Sequence, residues 1–318
     1  MNQGFRFALR ALITVALLAT VFWQIEPAAL ATQFDNLRYS WLATALALTV
    51  PQVVISAWRW RLTAGCVGLR LSMKTAIREY YLATFLNQVL PAGVLGDAHR
   101  AWRHARRDHD SAAAWHAVFI ERFSGQLSLA LITLIALWQT PALIDGMRRS
   151  LTAMPISPMQ SALLIAALLL LLAAGRRWAG RSPNLFAPIV RLGSNLRRSL
   201  LAPGVWPAQF VSSLLVVAGY IGVFLLCARA IDTGTPTAEL LWLVPPVLMA
   251  MALPLSIAGW GLREGAAAVV WTLAGLPAQQ GVALSLCYGV LVLVSSLPGA
   301  LVLAFCAREP HQRPDMAE

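Results

Sequence analysis

Long apolar segments recur along the whole chain and define its architecture. Six of them approach the roughly 20 residues that a helix needs to cross a hydrocarbon core. Each is apolar on all faces rather than on one, which is typical of a helix surrounded by lipid or by other helices. They cover residues 7–25, 41–60, 115–138, 159–174, 206–228 and 281–306. The sequence therefore predicts an all-α, polytopic membrane protein with about six full spans.

Two further apolar segments, at 79–98 and 240–275, do not have the pattern of simple spans. Basic residues lie on both sides of the first: Arg59, Arg61, Arg70, Lys74 and Arg78 precede it, and Arg100, Arg103, Arg106 and Arg107 follow it. Because basic loops remain in the cytoplasm, this segment must enter and leave the membrane by the same face. We predict two re-entrant broken-helix pairs, the second of which enters from the periplasmic face.

The same pattern, L-P-x4-G-x3-R, occurs in both interrupted segments. It begins with Leu90-Pro91 and Leu253-Pro254, continues to Gly96 and Gly259, and ends at Arg100 and Arg263. Proline and glycine interrupt helices, and irregular backbone at membrane depth needs shelter in protein or a wet cavity. Paired interruptions predict an inverted repeat, with halves at about 1–150 and 159–306, and indicate a transporter's substrate site. The alternative is chance similarity between two turns.

The candidate chemistry at each break is anion binding. We expect a half-helix to begin near Gly96 and another near Gly259, each exposing unpaired N–H groups and the positive end of a helix dipole. Arg100 and Arg263 stand one turn further on, and a guanidinium suits bidentate binding of phosphate. These features together predict a site for a phosphate-bearing lipid head group.

Each arginine also has a structural interpretation. Arg100 could belong to the cytoplasmic basic cluster that sets topology. Arg263 lies in an apolar stretch and is followed at once by Glu264, so the two could form a structural pair. An unpaired charge at membrane depth costs about 2.5–3.5 kcal/mol on insertion scales, which makes such a residue a functional candidate.

A second adjacent opposite pair, Glu121 and Arg122, lies near the start of the span at 115–138. Adjacent residues point in different directions on a helix, so they cannot fully satisfy each other. We predict that one of them reaches Arg100 or Asp97 and helps to line a polar cavity. Asp97, Glu121 and Glu264 would balance the charge of the arginines.

Composition excludes other classes of function. Only 12% of residues are charged, against about 25% in soluble domains. The net charge of +11 comes from basic residues beside spans, so we expect no nucleic-acid binding.

We expect no metal site, because His99, His104, His109 and His116 share no helix face and indicate a solvated loop. We predict interfacial positions for the tryptophans near span boundaries: Trp58, Trp60, Trp102, Trp206 and Trp242. Four separated cysteines predict neither a disulfide nor a metal role.

Clustered motifs resemble one known family over nearly the whole chain. They are Phe85-Leu86-Asn87-Gln88-Val89-Leu90-Pro91, then Gly96-Asp97 and Arg100, Glu121-Arg122 with Gly125, and Leu253-Pro254 with Gly259, Gly261, Arg263 and Glu264. This order is similar to that of the lysylphosphatidylglycerol synthase transmembrane region, also called the flippase-like integral membrane family. In that family a membrane domain of this kind is associated with moving modified lipids between leaflets.

The resemblance implies a lipid translocase without a catalytic step. We expect no lipid aminoacylation, because the sequence to Glu318 contains no aminoacyltransferase domain, and we expect no cofactor. The alternatives are a non-catalytic partner of a lipid-modifying enzyme or glycosyltransferase, an embedded enzyme acting on lipid phosphate, and a small-solute transporter. No nucleophile elbow, Walker loop, kinase set or HExxH motif supports an enzyme.

Charge asymmetry predicts how the chain lies in a bacterial inner membrane. We expect a single domain over 1–318 with both termini, the loop 175–203 and the tail 307–318 in the cytoplasm. The opposite side would hold the loops that contain Glu26, Asp35, Arg38, Asp145, Arg148, Arg149 and Asp232.

Overall fold

The computed structural model describes residues 27–90, 93–108, 110–153, 183–252 and 258–306, with isolated positions between 12 and 23 and at 170 and 256. These residues form helices and connections and contain no strand. In chain order the helices are α1 (Pro27–Ala31), α2 (Tyr39–Cys66), α3 (Met73–Val89), α4 (Leu95–Asp108), α5 (Ser111–Gln139), α6 (Pro141–Ala153), α7 (Pro183–Leu200), α8 (Trp206–Ala230), α9 (Thr237–Ala250), α10 (Leu262–Leu273) and α11 (Ala278–Cys306).

Four of these helices are long and apolar enough to cross a membrane: α2, α5, α8 and α11. They confirm the spans predicted at 41–60, 115–138, 206–228 and 281–306. At most 44% of the most apolar window in any of them is buried inside the protein, so much of their apolar surface faces outward, as contact with lipid requires. The chain is a multi-pass membrane protein. The spans predicted at 7–25 and 159–174 lie almost entirely outside the described residues.

Both predicted interruptions are breaks between two helices. The first separates α3, which ends at Val89, from α4, which begins at Leu95. The second separates α9, which ends at Ala250, from α10, which begins at Leu262. Pro91 and Pro254 lie outside the described residues. The re-entrant course of these pairs and the inverted repeat stay predictions.

The two breaks contact each other inside the bundle. Gly93 has a φ of +60° and Ala258 a φ of +52°. A β-carbon added at Gly93 would lie 3.9 Å from the backbone nitrogen and Cα of Ala258. A left-handed backbone costs an L-residue about 1–2 kcal/mol, so packing around Ala258 must hold this turn in place. The two interrupted segments therefore meet at one point of the fold.

Contacts between connections agree with the predicted sidedness of the loops. Arg38 and Asp232, assigned to loops on the same side, form an exposed ion pair at 2.7 Å. At the other end of the bundle, Asn195 of α7 lies 2.9 Å from the Nδ1 atom of His116, near the start of α5. Helix α7 lies within the predicted loop 175–203, so that connection is partly helical.

Candidate functional site

A stripe of polar side chains runs along the buried face of α2. Its members are Thr49, Gln52, Ser56, Arg59 and Thr63, and none is more than 7% exposed. Steps of three and four residues keep all five on one face of the helix. An apolar span with a polar inward face indicates a polar interior between the helices.

Arg59 begins a chain of five ion-pairing residues that alternate in charge, of which all but Arg122 are buried. Its Nη2 atom lies 2.5 Å from Oε1 of Glu121, whose Oε2 atom accepts a hydrogen bond of 2.6 Å from Arg100. Arg100 also donates through Nε to Oδ1 of Asp97 at 3.0 Å. The same Asp97 oxygen accepts a hydrogen bond of 2.8 Å from Arg122. We call these five residues the ion chain.

The ion chain carries a surplus positive charge, because three guanidinium groups face two carboxylates. Its two ends differ in accessibility. The Arg59 side chain is 3% exposed and donates to the hydroxyl of Ser213 on α8 at 3.2 Å. The Arg122 side chain is 35% exposed. The surplus charge can therefore be reached at the Arg122 end.

Aromatic rings hold the middle of the ion chain. The guanidinium carbon of Arg100 lies 4.7 Å from the ring centre of Trp60 and 4.7 Å from that of Tyr80, both suitable for cation–π attraction. The Tyr80 hydroxyl donates to Glu121 at 3.4 Å. Trp60 is 1% exposed, so the prediction that it lies at the membrane interface is wrong. Its ring covers a buried arginine instead.

The second break has a smaller, neutral polar group. Arg263 binds the Oε1 atom of Glu264 through Nη2 at 2.7 Å and donates to Ser285 of α11 through Nε at 2.9 Å. Its guanidinium carbon lies 5.0 Å from the ring centre of Trp260. The Arg263 guanidinium also lies against Gly289, where an added β-carbon would be 2.9 Å from the guanidinium carbon. Arg263 is thus fixed in one position between α10 and α11.

One amide near the start of each half-helix is already paired with a side chain. The Gly96 amide donates to the side-chain oxygen of Asn87 at 2.8 Å. The second half-helix begins at Leu262 rather than near Gly259, and the Gly261 amide donates to Glu264 at 2.6 Å. These two caps satisfy donors that would otherwise be free to bind an anion. The expectation of unpaired N–H groups is wrong for these two amides.

A small cavity, whose walls carry both apolar groups and hydroxyls, lies between the two arginine groups. Its volume is about 40 Å³, room for a few water molecules, since one needs about 10–15 Å³. Its walls come from four helices and comprise Thr49, Gln52, Val53, Ser56, Tyr80, Thr84, Tyr220, Val223, Tyr288, Val292 and Ser295. Tyr80 contacts Arg100, and the Tyr288 ring centre lies 5.4 Å from Arg263. The cavity therefore joins the surroundings of both arginines.

The two arginine groups lie at different depths along α8. Ser213 contacts Arg59, whereas the ring of Phe224 packs against Tyr288 with centres 4.8 Å apart. Ser213 and Phe224 are separated by three turns of α8, about 16 Å. Polar groups therefore extend over about half the thickness of a hydrocarbon core.

The segment that contains the predicted histidine loop is mainly helical. His104 lies in α4, is 4% exposed and packs edge-on against Trp60 with ring centres 5.6 Å apart. Asp110 caps α5 by accepting a hydrogen bond from the Ala113 amide. His109 lies outside the described residues. The prediction of a solvated loop is therefore wrong for α4.

The comparison with known families agrees with this architecture. The family model for the lysylphosphatidylglycerol synthase TM region matches residues 7–299. The chain belongs to this family. Membership supports the resemblance predicted from the motifs and relates this integral membrane protein to lipid-related biosynthesis. A search of curated protein sequences gives no match.

Most of the residues predicted from this family's motifs meet at the two breaks. Asn87, Gly96, Asp97, Arg100, Glu121 and Arg122 lie together at the first, and Gly259, Arg263 and Glu264 lie at the second. The prediction that Glu121 or Arg122 reaches Arg100 or Asp97 is confirmed for both residues.

Sequence reasoning missed Arg59, Trp60, Tyr80 and Ser213 as members of this region. Arg59 was assigned to the basic flank of the first interrupted segment, and its 3% exposure corrects that. The spacing of polar residues along α2 is the signal that could have identified it.

Proposed function

We propose that this protein is a lipid translocase that moves an anionic or phosphate-linked lipid between the leaflets of a bacterial inner membrane. The observation that supports this function is the surplus positive charge of the ion chain, enclosed among membrane-spanning helices and reachable at one end. A phosphate group entering there would neutralise the charge, while its acyl tails remain in the bilayer. The function involves no chemical transformation of the lipid.

The contact between the two breaks supports a mechanism of alternating access. Gly93 and Ala258 are close neighbours, so the break that precedes Arg100 lies next to the break that precedes Arg263. Broken helices that meet at a substrate site are typical of transporters whose halves rock against each other. We propose that the head group binds at the ion chain from the cytoplasmic leaflet and at Arg263 from the other, with both chain termini in the cytoplasm.

The small cavity indicates that this conformation is closed. Its volume of about 40 Å³ is below the roughly 300–1,000 Å³ of ordinary ligand pockets. Transport therefore requires the helices around it, α2, α3, α8 and α11, to separate. Such separation would open the hydroxyl-lined surface between Tyr80 and Tyr288 to a head group.

Reconstitution of the pure protein into vesicles tests the proposal. Acyl-labelled phosphatidylglycerol should become accessible from the opposite leaflet faster than in protein-free vesicles. Replacement of Arg263 by alanine should slow this movement at least tenfold, whereas Arg38→Ala, which changes an exposed arginine of the Arg38–Asp232 pair, should leave it unchanged. Vesicles in which the wild-type protein moves no lipid would overturn the function. Unchanged transport by the Arg263 variant would remove that residue from the site.

The closed cavity also supports a second candidate, a non-transporting partner of a lipid-modifying enzyme or glycosyltransferase of the cell envelope. A scaffold needs no opening at the ion chain. This function predicts a stable complex with such an enzyme and no lipid movement by the isolated chain, so the same vesicle assay separates the two.

A further inference from the structure

A groove on the outer side of α2 belongs neither to the ion chain nor to the surroundings of Arg263. Its volume is about 430 Å³, within the roughly 300–1,000 Å³ of ordinary ligand pockets. We propose that this groove is a separate binding site for an anionic phospholipid, whose phosphate contacts Arg61 and whose acyl chains lie along α2. We call it the α2 groove; its walls are formed by Trp58, Arg61, Leu62, Gly65 and Cys66.

The α2 groove lies at the level where lipid head groups begin. Helix α2 has 28 residues, so it is about 42 Å long and extends about 6 Å beyond each side of a hydrocarbon core of about 30 Å. Arg61 lies five residues before the last residue of α2, a distance of about 7.5 Å. Trp58, which is 38% exposed, lies less than one turn deeper. An exposed tryptophan beside an arginine is typical of the boundary between head groups and acyl chains.

Arg61 brings a positive charge to this groove without a counter-charge. It is exposed, and the ion pairs and side-chain hydrogen bonds among the described residues do not include it. Ser199 of α7 lies against the Cys66 thiol at the edge of the groove, and Arg197 and Arg198 precede it in the last turn of α7. None of the described wall residues is acidic. The groove therefore has a positive edge that a phosphate would complement.

The surface that continues from the α2 groove favours a lipid over an acidic peptide as the occupant. Val50 is 50% exposed and Trp58 is 38% exposed, and with Val54 between them they follow at steps of four residues along one face of α2. This apolar face leads from the groove towards the middle of the span. Acyl chains can pack on it while the phosphate stays at Arg61, whereas a peptide bound at the helix end would leave it uncovered.

Helix α2 itself separates this lipid from the proposed transport path. Arg59 points into the bundle and is 3% exposed, whereas Arg61 is exposed on the outside. Residues two positions apart do not face each other on a helix. A phosphate at Arg61 therefore cannot reach the ion chain without leaving the groove. The lipid bound here is a fixed part of the protein's surface and not the lipid that is moved.

Photo-crosslinking in vesicles tests the site with the wild-type chain. The protein would be reconstituted in phosphatidylcholine vesicles that contain a trace of phosphatidylglycerol, or of phosphatidylcholine, carrying a diazirine near the glycerol end of one acyl chain. After irradiation and digestion, mass spectrometry would measure labelling of residues 58–66. The phosphatidylglycerol probe should label them about fivefold more strongly, the contribution of one arginine near an anionic lipid surface. Equal labelling by the two probes would show unselective lipid contact and overturn the proposal.

Two variants test the two parts of the α2 groove. Arg61→Gln removes its charge, and Gly65→Leu fills its open space, because a β-carbon added at Gly65 meets no atom within 4 Å. Each should lower labelling by the phosphatidylglycerol probe to the level of the phosphatidylcholine probe. The matched controls are Arg38→Gln, in an exposed ion pair at the other end of α2, and Gly193→Leu, in open space on α7; both should label as wild type does. Wild-type labelling in either Arg61→Gln or Gly65→Leu would overturn the assignment of the groove.

The same labelling separates this site from the proposed translocation. Arg263 lies between α10 and α11, so Arg263→Ala, which should slow lipid movement, should leave labelling of residues 58–66 unchanged. A fall equal to that in Arg61→Gln would show that the groove holds the transported lipid and would overturn its separate role. If the wild-type protein moves no lipid, the proposed function fails, and selective labelling by the phosphatidylglycerol probe would still support the α2 groove as a lipid site.

Discussion

Replacement of Glu121 by glutamine should destabilise the protein more than any other single removal of charge. The side chain is fully buried and uses both oxygens, with Arg59 2.5 Å from Oε1 and Arg100 2.6 Å from Oε2. Glutamine has nearly the same shape but only one acceptor oxygen. Its amide NH2 group would face one of the two guanidiniums, donor against donor.

The expected magnitude follows from these contacts. Removing one partner of a buried ion pair costs about 3–5 kcal/mol, because the remaining charge stays buried without compensation. Here two arginines lose their shared carboxylate, and the surplus charge of the ion chain rises from one to two. We therefore expect the free energy of unfolding to fall by about 3–5 kcal/mol, near the upper end of that range.

Denaturant titration of the purified protein in detergent micelles measures this change. Glu239→Gln is the matched control, because Glu239 lies in the first turn of α9, where loss of its charge costs about 0.3–1 kcal/mol. The double variant Arg59→Gln/Glu121→Gln returns the surplus charge to one. The decrease in its free energy of unfolding should therefore be about 0.5–3 kcal/mol smaller than the sum of the decreases in the two single variants. Additive losses, or a Glu121→Gln protein as stable as the control, would refute the reasoning.

Two further changes test the geometry of the breaks in the same titration. Gly289→Ala should lower the free energy of unfolding by about 1–3 kcal/mol through overpacking, because the new methyl group would displace the Arg263 guanidinium. Gly193→Ala is the control and should change stability little, because its methyl group would meet no atom within 4 Å. Equal losses of stability in the two variants would contradict the contact between Gly289 and Arg263. Asn87→Ala should lower the free energy of unfolding by about 0.5–2 kcal/mol, because the Gly96 amide loses its cap. An unchanged free energy of unfolding would show that the cap contributes nothing.

Much of the helical architecture could be predicted because the membrane constrains the sequence strongly. Helices α2, α5, α8 and α11 are continuous apolar segments, and no other arrangement satisfies their backbone in lipid. Helix geometry alone also indicated that the side chains of Glu121 and Arg122 point in different directions from α5. The prediction was that one of them reaches Arg100 or Asp97, and in the structure both do, with Glu121 on Arg100 and Arg122 on Asp97.

The prediction failed where one residue type has two physical uses. An arginine at the end of an apolar segment can either set topology or form an ion pair inside the bundle. The sequence alone does not show which carboxylate it would pair with. Arg59 was therefore assigned to the basic flank of the first interrupted segment, although its partner Glu121 lies 62 residues further along the chain. Helix α4 was mistaken for a loop because its many charges hide the face that packs against α3 and α5.

The start of α10 was misplaced for a local reason. Gly259 and Gly261 both adopt positive φ, so the irregular segment continues three residues further than the pattern L-P-x4-G-x3-R suggests. As a result Arg263 is the second residue of its helix, whereas Arg100 is the sixth of α4. Glycine is a favoured N-cap residue, and a glutamate three residues later can accept a hydrogen bond from its amide, as Glu264 does from Gly261. This pattern would have corrected the boundary.

The ion chain also bears on how the protein is assembled during synthesis. Arg59 is made 62 residues before Glu121, so α2 reaches the membrane before its counter-charge exists. On insertion scales a lone arginine costs about 2.5–3.5 kcal/mol at the centre of a helix. Arg59 lies in the C-terminal third of α2, so its penalty is smaller, and pairing with Glu121 relieves it only when α5 arrives. Helix α2 therefore has reason to remain near the site of insertion until α5 joins it, which makes these two helices an early folding unit.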